Sequence, residues 1–214
     1  MESLIGLKGK DYVVLAADTM MADAIFFLRD NCSKVRALSG NCMMGVIGNE
    51  GDTAKFADYI AARVSLYEIM NGYAMDTSAI IHIARQHLLS CLASRIKFVV
   101  AMLIGCFDTK KGYNLCLIDF QGASHFLNYS GLGVGHSISL SIFHTMWKPD
   151  LSIEDGLTII RRCLKEVKTR LVINLRHFEI FVLDKHGVRK LEPSGNPPVL
   201  DRIFPQRLIP DPFI

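Results

Sequence analysis

Ser3-Leu-Ile-Gly-Leu-Lys-Gly-Lys-Asp-Tyr-Val-Val-Leu-Ala-Ala-Asp-Thr19 is the stretch from which the rest of the chain is read. Two apolar runs, at 3–8 and 12–17, have the length of short strands and are separated by Gly, Lys and Asp, which interrupt strand pairing. The second run closes on a carboxylate, Asp18, and an isolated Lys34 follows sixteen residues later inside Cys32-Ser-Lys-Val-Arg36. Further β-branched and apolar runs at 33–38 and 42–47 read as strands, and the four together are expected to form one sheet.

Helical spacing then replaces strand spacing. Phe56, Ile60, Val64 and Tyr67 fall on one face of a helix expected to begin near Asp52 and to stop at Asn71-Gly72. Ile80, Ala84, Leu88 and Cys91 share a face of a second helix capped near Asp76 or Thr77. Strands are expected again at 98–107, 113–119 and 124–128, the first two joined by Asp108-Thr-Lys-Lys-Gly112. A third helix should follow Gly131-Leu-Gly-Val-Gly135, and a fourth should start at Ser152 as N-cap with Asp155 in its first turn. The last strand is expected at Phe178-Glu-Ile-Phe-Val-Leu183. Strands, a helix pair, strands, a helix pair and a final strand make an α/β protein whose sheet faces need covering on both sides.

With 214 residues, 50% of them hydrophobic, the chain can bury one sizeable core without disulfides. Lys plus Arg number 24 against 21 Asp plus Glu, scattered rather than run together, with no basic run longer than two, which gives no footprint for nucleic acid. The cysteines at 32, 42, 91, 106, 116 and 163 lie on apolar stretches with no Cys-x-x-Cys and no His at ligand spacing. Reduced, buried thiols are therefore expected, with no metal site and no cofactor. The start has no basic region followed by an apolar run, and no stretch nears the roughly 18 apolar residues of a membrane span, so neither secretion nor a membrane is expected.

Several segments carry a resemblance to a known family: Val14-Leu-Ala-Ala-Asp18, the turn Gly48-Asn-Glu-Gly-Asp-Thr53, and Leu117-Ile-Asp-Phe-Gln-Gly122. They resemble the proteasome beta-type subunits, over residues 1 to about 191. Within that family, Met1-Glu-x-Leu-Ile-Gly6, the segment from Gly51 to Ile60, Asn71-Gly-Tyr73 and Asn174-Leu-Arg-His-Phe178 most resemble the non-catalytic type-2 branch, the fourth beta position of the 20S core ring. The resemblance implies a four-layer α-β-β-α sandwich of the N-terminal nucleophile hydrolase type. It also implies a place in a hetero-oligomeric ring of seven, in a stack of four rings, beside other beta subunits and against alpha-ring subunits. Such an assembly degrades ubiquitin-tagged proteins with ATP hydrolysed elsewhere, in cytoplasm and nucleus.

Active members use a chain-terminal threonine as nucleophile and its own amine as base. The resemblance sets Met1 at that place, and a thioether can neither be deprotonated nor form the acyl ester. Asp18 and Lys34 fall on the family's supporting acid and base. Where active subunits have a serine between glycines this chain has Leu132, and where they have an acid and a serine after the fourth helix it has Leu171 and Ile173. None of these three apolar side chains donates or accepts a hydrogen bond. The expected function is thus that of a non-catalytic structural subunit whose neighbours cut the substrate.

Two other readings stay open at this point. Removal of Met1 and Glu2 would leave Ser3 as a terminal hydroxyl nucleophile, although two residues along a strand shift a hydroxyl by roughly 6–7 Å. A free-standing binding protein on the same scaffold is the other. Gly131-x-Gly133-x-Gly135 lacks the lysine and spacing of a phosphate loop, and His82 and His87, five apart, do not share a helical face. Beyond the domain, residues 192–214 form a proline-rich extension: six of seven prolines lie between Pro193 and Pro212, among Val199, Leu200, Ile203, Phe204, Leu208, Ile209, Phe213 and Ile214. Such a segment is neither a helix nor a central strand, and it is expected either as an arm on a neighbouring surface or as a loose end.

Overall fold

A computed structural model describes residues 2–23, 26–94, 98–109 and 111–191. The extension at 192–214 and Met1 lie outside the described residues. In chain order the elements are β1 (Ser3–Lys8), β2 (Val13–Asp18), β3 (Met21–Asp23), β4 (Phe26–Arg29), β5 (Val35–Ser39) and β6 (Cys42–Gly48), then α1 (Glu50–Asn71) and α2 (Thr77–Ala93). They continue with β7 (Val100–Asp108), β8 (Gly112–Ile118), β9 (Ser124–Leu127), β10 (Tyr129–Gly133), α3 (His136–Met146), α4 (Ile153–Arg170), β11 (Phe178–Asp184) and β12 (Gly187–Leu191).

Two five-stranded sheets result, ordered β10-β1-β2-β11-β12 and β5-β6-β7-β8-β9, with β3-β4 as a separate two-stranded piece. Every described pairing is antiparallel. The expectation of one sheet from the first four runs is therefore corrected: the two at 3–8 and 12–17 pair with each other, while 35–39 and 42–48 belong to the other sheet. Alternation along a strand sorts its two faces but carries no information about which sheet it joins.

Side-chain period 2 distributes each strand between two apolar clusters. On β2, Val13, Leu15 and Ala17 enter a cluster with Met43, Ile47 and Leu103 of the second sheet. Val14 and Ala16 enter a cluster with Phe143 of α3 and Ile160, Cys163 and Val167 of α4. On β6, Cys42, Met44 and Val46 join Phe56, Ile60 and Val64 of α1 and Ile80, Ala84 and Leu88 of α2. Burial on both faces explains why these strands read as continuous apolar runs rather than as alternation. Close approach across the two sheets needs a missing side chain at Gly45, where a Cβ would lie 2.6 Å from Leu4 Cδ1.

The helices begin and end on local chemistry. Asn49 caps α1 by accepting from the Gly51 amide, so α1 starts two residues before the expected Asp52, and Gly72 ends it in the left-handed conformation (φ 76°). Ser152 caps α4 by accepting from the Asp155 amide at 3.2 Å, as its spacing indicates. The loop before α4 is tied back to the first sheet by the Tyr12 hydroxyl, which donates to the Ser152 carbonyl at 2.8 Å, and the Trp147 indole donates to the Lys8 carbonyl at 2.9 Å.

Four strands went unread. The β3-β4 hairpin carries Phe26, Phe27 and Leu28, all exposed, in a run with no alternation to betray a strand. Residues 129–133, read as the entry to a helix, are β10: their glycines suggest a turn, but backbone pairing runs from Ser3↔Gly133 to Leu7↔Tyr129. The 178–183 strand is not the last, because β12 pairs along it from Asp184↔Gly187 to Ile180↔Leu191. Its Arg189 and Lys190 suit an exposed edge strand rather than a buried one. The six cysteines are free, as expected, but only four are buried; Cys32 and Cys91 are partly exposed.

Candidate functional site

The carboxylate at the end of β2 and the lysine just before β5 are brought together by the loop between them. Thr19 holds that loop from both sides: its amide donates to the His177 carbonyl, its carbonyl accepts from the Cys32 amide at 2.9 Å, and its hydroxyl donates to the Asp30 carbonyl at 2.6 Å. Lys34 is anchored in turn through its carbonyl, which accepts from the Val46 amide at 2.9 Å. The 16-residue spacing of Asp18 and Lys34 thus closes into a direct ion pair, with Lys34 Nζ 2.7 Å from Asp18 Oδ2.

Asp18 is fully buried and uses both oxygens. Oδ1 accepts from the Ser3 amide at 2.6 Å, and Oδ2 accepts from the Met20 amide at 3.1 Å as well as from Lys34. The Lys34 side chain is 8% exposed, and its ammonium meets three oxygens: Asp18 Oδ2, the Met20 carbonyl at 2.8 Å, and Glu2 Oε1 at 3.2 Å. Two of these contacts are hydrogen bonds, to Asp18 Oδ2 and the Met20 carbonyl, and Glu2 adds a second carboxylate as an ion pair. Burial of the pair is tolerable because every polar atom has a partner.

Glu2 is the residue that sequence reading missed. Its Oε2 accepts from the Gly48 amide at 2.7 Å and its carbonyl accepts from the Val134 amide at 2.9 Å. Gly133 makes room for that carbonyl: it has φ 79°, and a Cβ there would sit 2.0 Å from the Glu2 oxygen. A usable signal was present. Alternation carried back from Leu4 sets Glu2 on the face turned toward the second sheet, where a carboxylate requires a cation or an N–H.

The remaining candidate positions do not join this cluster. Leu132 packs against the cluster between the sheets, while Leu171 and Ile173 pack against the one shared by α3 and α4. Met1 lies outside the described residues. Ser3 is buried, and its hydroxyl has no hydrogen-bond partner; it points to α3 and α4, 2.2 Å from where a Gly135 Cβ would be. Among the described residues, no hydroxyl or thiol side chain is within hydrogen-bond reach of Lys34 Nζ. The arrangement holds the start of β1 in place.

A cleft of about 370 Å³ opens beside Lys34, lined among others by Glu2, Arg29, Cys32, Arg36 and Glu50. Elsewhere, His87 stacks on Tyr59 with ring centroids 3.9 Å apart, while His82 is exposed one turn earlier on α2. No helix among the described residues is long and apolar enough to cross a membrane.

The proteasome subunit family matches this chain over residues 2–183. The chain is 31% identical over 190 residues to the rice protein named proteasome subunit beta type-2, covering 89% of each. It is 31% identical over 193 residues to proteasome subunit beta type-4 of Saccharomyces cerevisiae, covering 90% of this chain and 98% of that one. To the probable proteasome subunit beta type-4 of Schizosaccharomyces pombe it is 32% identical over 192 residues, covering 89% and 99%.

Proposed function

Because this chain belongs to the proteasome beta-type subunit family, we propose that it is a non-catalytic subunit of the 20S core particle, built into the inner beta ring beside subunits that cut the substrate. The observation that carries the reading is the enclosure of Lys34 among three protein oxygens. Its ammonium donates to Asp18 and the Met20 carbonyl and is ion-paired with Glu2, and the two carboxylates in turn accept from the Ser3, Met20 and Gly48 amides. A base poised for catalysis faces the proton it will take, whereas this lysine ties the first strand to two others.

The three apolar clusters support a four-layer order for the domain: α1 and α2, the β5–β9 sheet, the sheet built around β1, then α3 and α4. The opening segment and the relatives named beta type-2 support the type-2 branch, while other relatives are named beta type-4. A ring of seven stacked as four rings, alpha-ring partners and residence in cytoplasm and nucleus belong to the same proposal. The trimmed-peptidase reading fares worse. A chain beginning at Ser3 would lose the Glu2 bonds to Lys34, Gly48 and Val134, and the Ser3 hydroxyl is buried against Gly135.

Sedimentation of the tagged chain from extract tests the proposal, with peptidase activity and co-purifying alpha and beta subunits followed across the gradient. The chain is expected in the large peptidase peak with both kinds of subunit. A chain found only near the top of the gradient would refute the proposal and favour a free-standing binding protein.

A further inference from the structure

The Glu2 carboxylate is held as a bound ligand is held. One oxygen lies 3.2 Å from the Lys34 ammonium and the other 2.7 Å from the Gly48 amide, so a cation just before β5 and an N–H at the end of β6 converge on one carboxylate. Gly48 ends β6 immediately before Asn49, the N-cap of α1, so its N–H lies by the positive end of a 22-residue helix. The side chain is only 14% exposed, at the wall of a cleft of about 370 Å³ that Arg29 and Arg36 also line. Glu50 lines it as well, and Arg36 is paired with Asp58, so the cleft is not simply basic. What singles out the Lys34–Gly48 position is paired geometry: a cation and an N–H donor, each against a different oxygen of one carboxylate.

We propose that the Lys34 ammonium and the Gly48 N–H form a carboxylate receptor that this chain fills with its own Glu2, and that removing the Glu2 carboxylate opens the receptor to a small carboxylate from solution. The strand start serves as an internal ligand. Asp18 remains on Lys34 throughout and keeps the ammonium from being left unpaired, while the Gly48 N–H supplies the vacated direction. This goes beyond the assembly role, since it holds or fails whether or not the chain enters a ring.

The probe is sodium formate, titrated into the isotope-labelled full-length chain at constant ionic strength with chloride as the balancing anion, with the Gly48 amide resonance as readout. In Glu2→Ala the Gly48 amide is expected to shift saturably, with half-saturation in the millimolar range that a few charge-assisted hydrogen bonds supply, and at least about ten-fold less in the unsubstituted chain. Adding Lys34→Met to Glu2→Ala should abolish the response. If Glu2→Ala does not fold, Glu2→Ser carries the test: its short side chain has no carboxylate and does not reach Gly48, and the same shift is expected. A Gly48 amide that ignores formate in the folded variants would overturn the proposal. So would an equal shift in the unsubstituted chain, or one reproduced by chloride.

Discussion

Lys34→Met, Asp18→Asn and the double variant together test whether the buried pair acts as a single structural unit. With Asp18 fully buried and the Lys34 side chain 8% exposed, removal of one partner leaves a charge with little water. Breaking such a pair costs about 3–5 kcal/mol. Asp18 keeps two amide donors in Lys34→Met, from Ser3 and Met20, which sets the cost at the lower end, about 3 kcal/mol. Asp18→Asn retains one acceptor oxygen but turns an NH2 toward an amide or the ammonium; Lys34 keeps Glu2 and the Met20 carbonyl, so a similar cost of about 3 kcal/mol is expected. The double variant has neither stranded charge and should lose about 3–4 kcal/mol rather than the sum of about 6, a coupling of about 2–3 kcal/mol. Urea unfolding of the purified full-length chain, with the slope held common, reads these differences. In thermal unfolding each single variant should fall by roughly 6–12 °C, at about 2–4 °C per kcal/mol for a domain of this size. Costs that add to within about 0.5 kcal/mol would refute the pair as a unit.

Other expectations are independent of the site. Alkylation of the native chain should modify Cys32 and Cys91 first, because burial pushes the Cys106 and Cys163 thiols up to about 12 and that of Cys116 to about 11, and raises Cys42 as well; peptide mass spectrometry after partial labelling reads the order. Burial first, and then Arg63, holds His87 below its ordinary value of 6.5, so the unfolded chain takes up that proton more readily and stability falls as pH drops through the ordinary value toward the lowered one. His87→Phe should flatten the decline of the urea midpoint over that window, and an unchanged pH profile would exclude His87 as its source. Gly45→Ala should cost about 1–3 kcal/mol because Leu4 has to yield, and pairing it with Leu4→Ala should cost less than the two separate losses combined.

Much of this was legible from residues alone, for reasons the structure makes specific. The helices were marked by apolar spacing and by Ser152 and Gly72, whose capping acts within one turn and needs no distant partner. Strand positions at 3–8, 13–18 and 42–48 were legible because both faces of each are buried. What stayed hidden depended on partners far away in sequence. Residues 129–133 become a strand only because β1 presents a free edge, and 187–191 only because β11 does. At the site, Asp18 and Lys34 were picked out by resemblance, and the structure joins them as an ion pair. The Glu2 contacts did not, since they join the chain start to Gly48, 46 residues on and in the other sheet. Leu132 and Leu171 were picked out by resemblance, and each has an ordinary place in an apolar cluster.

The central claim is that this subunit takes its place among catalytic ones without a reactive group of its own, and intact mass measurement after labelling tests it directly. The large assembly carrying the tagged chain would be treated with a peptide vinyl sulfone, an electrophile that traps activated hydroxyl and thiol nucleophiles, and each chain weighed after dissociation. The account expects one adduct on the chains that cut substrate and an unchanged mass for this one, with Glu2 retained. A stoichiometric adduct on this chain, above all on one that begins at Ser3, would contradict it.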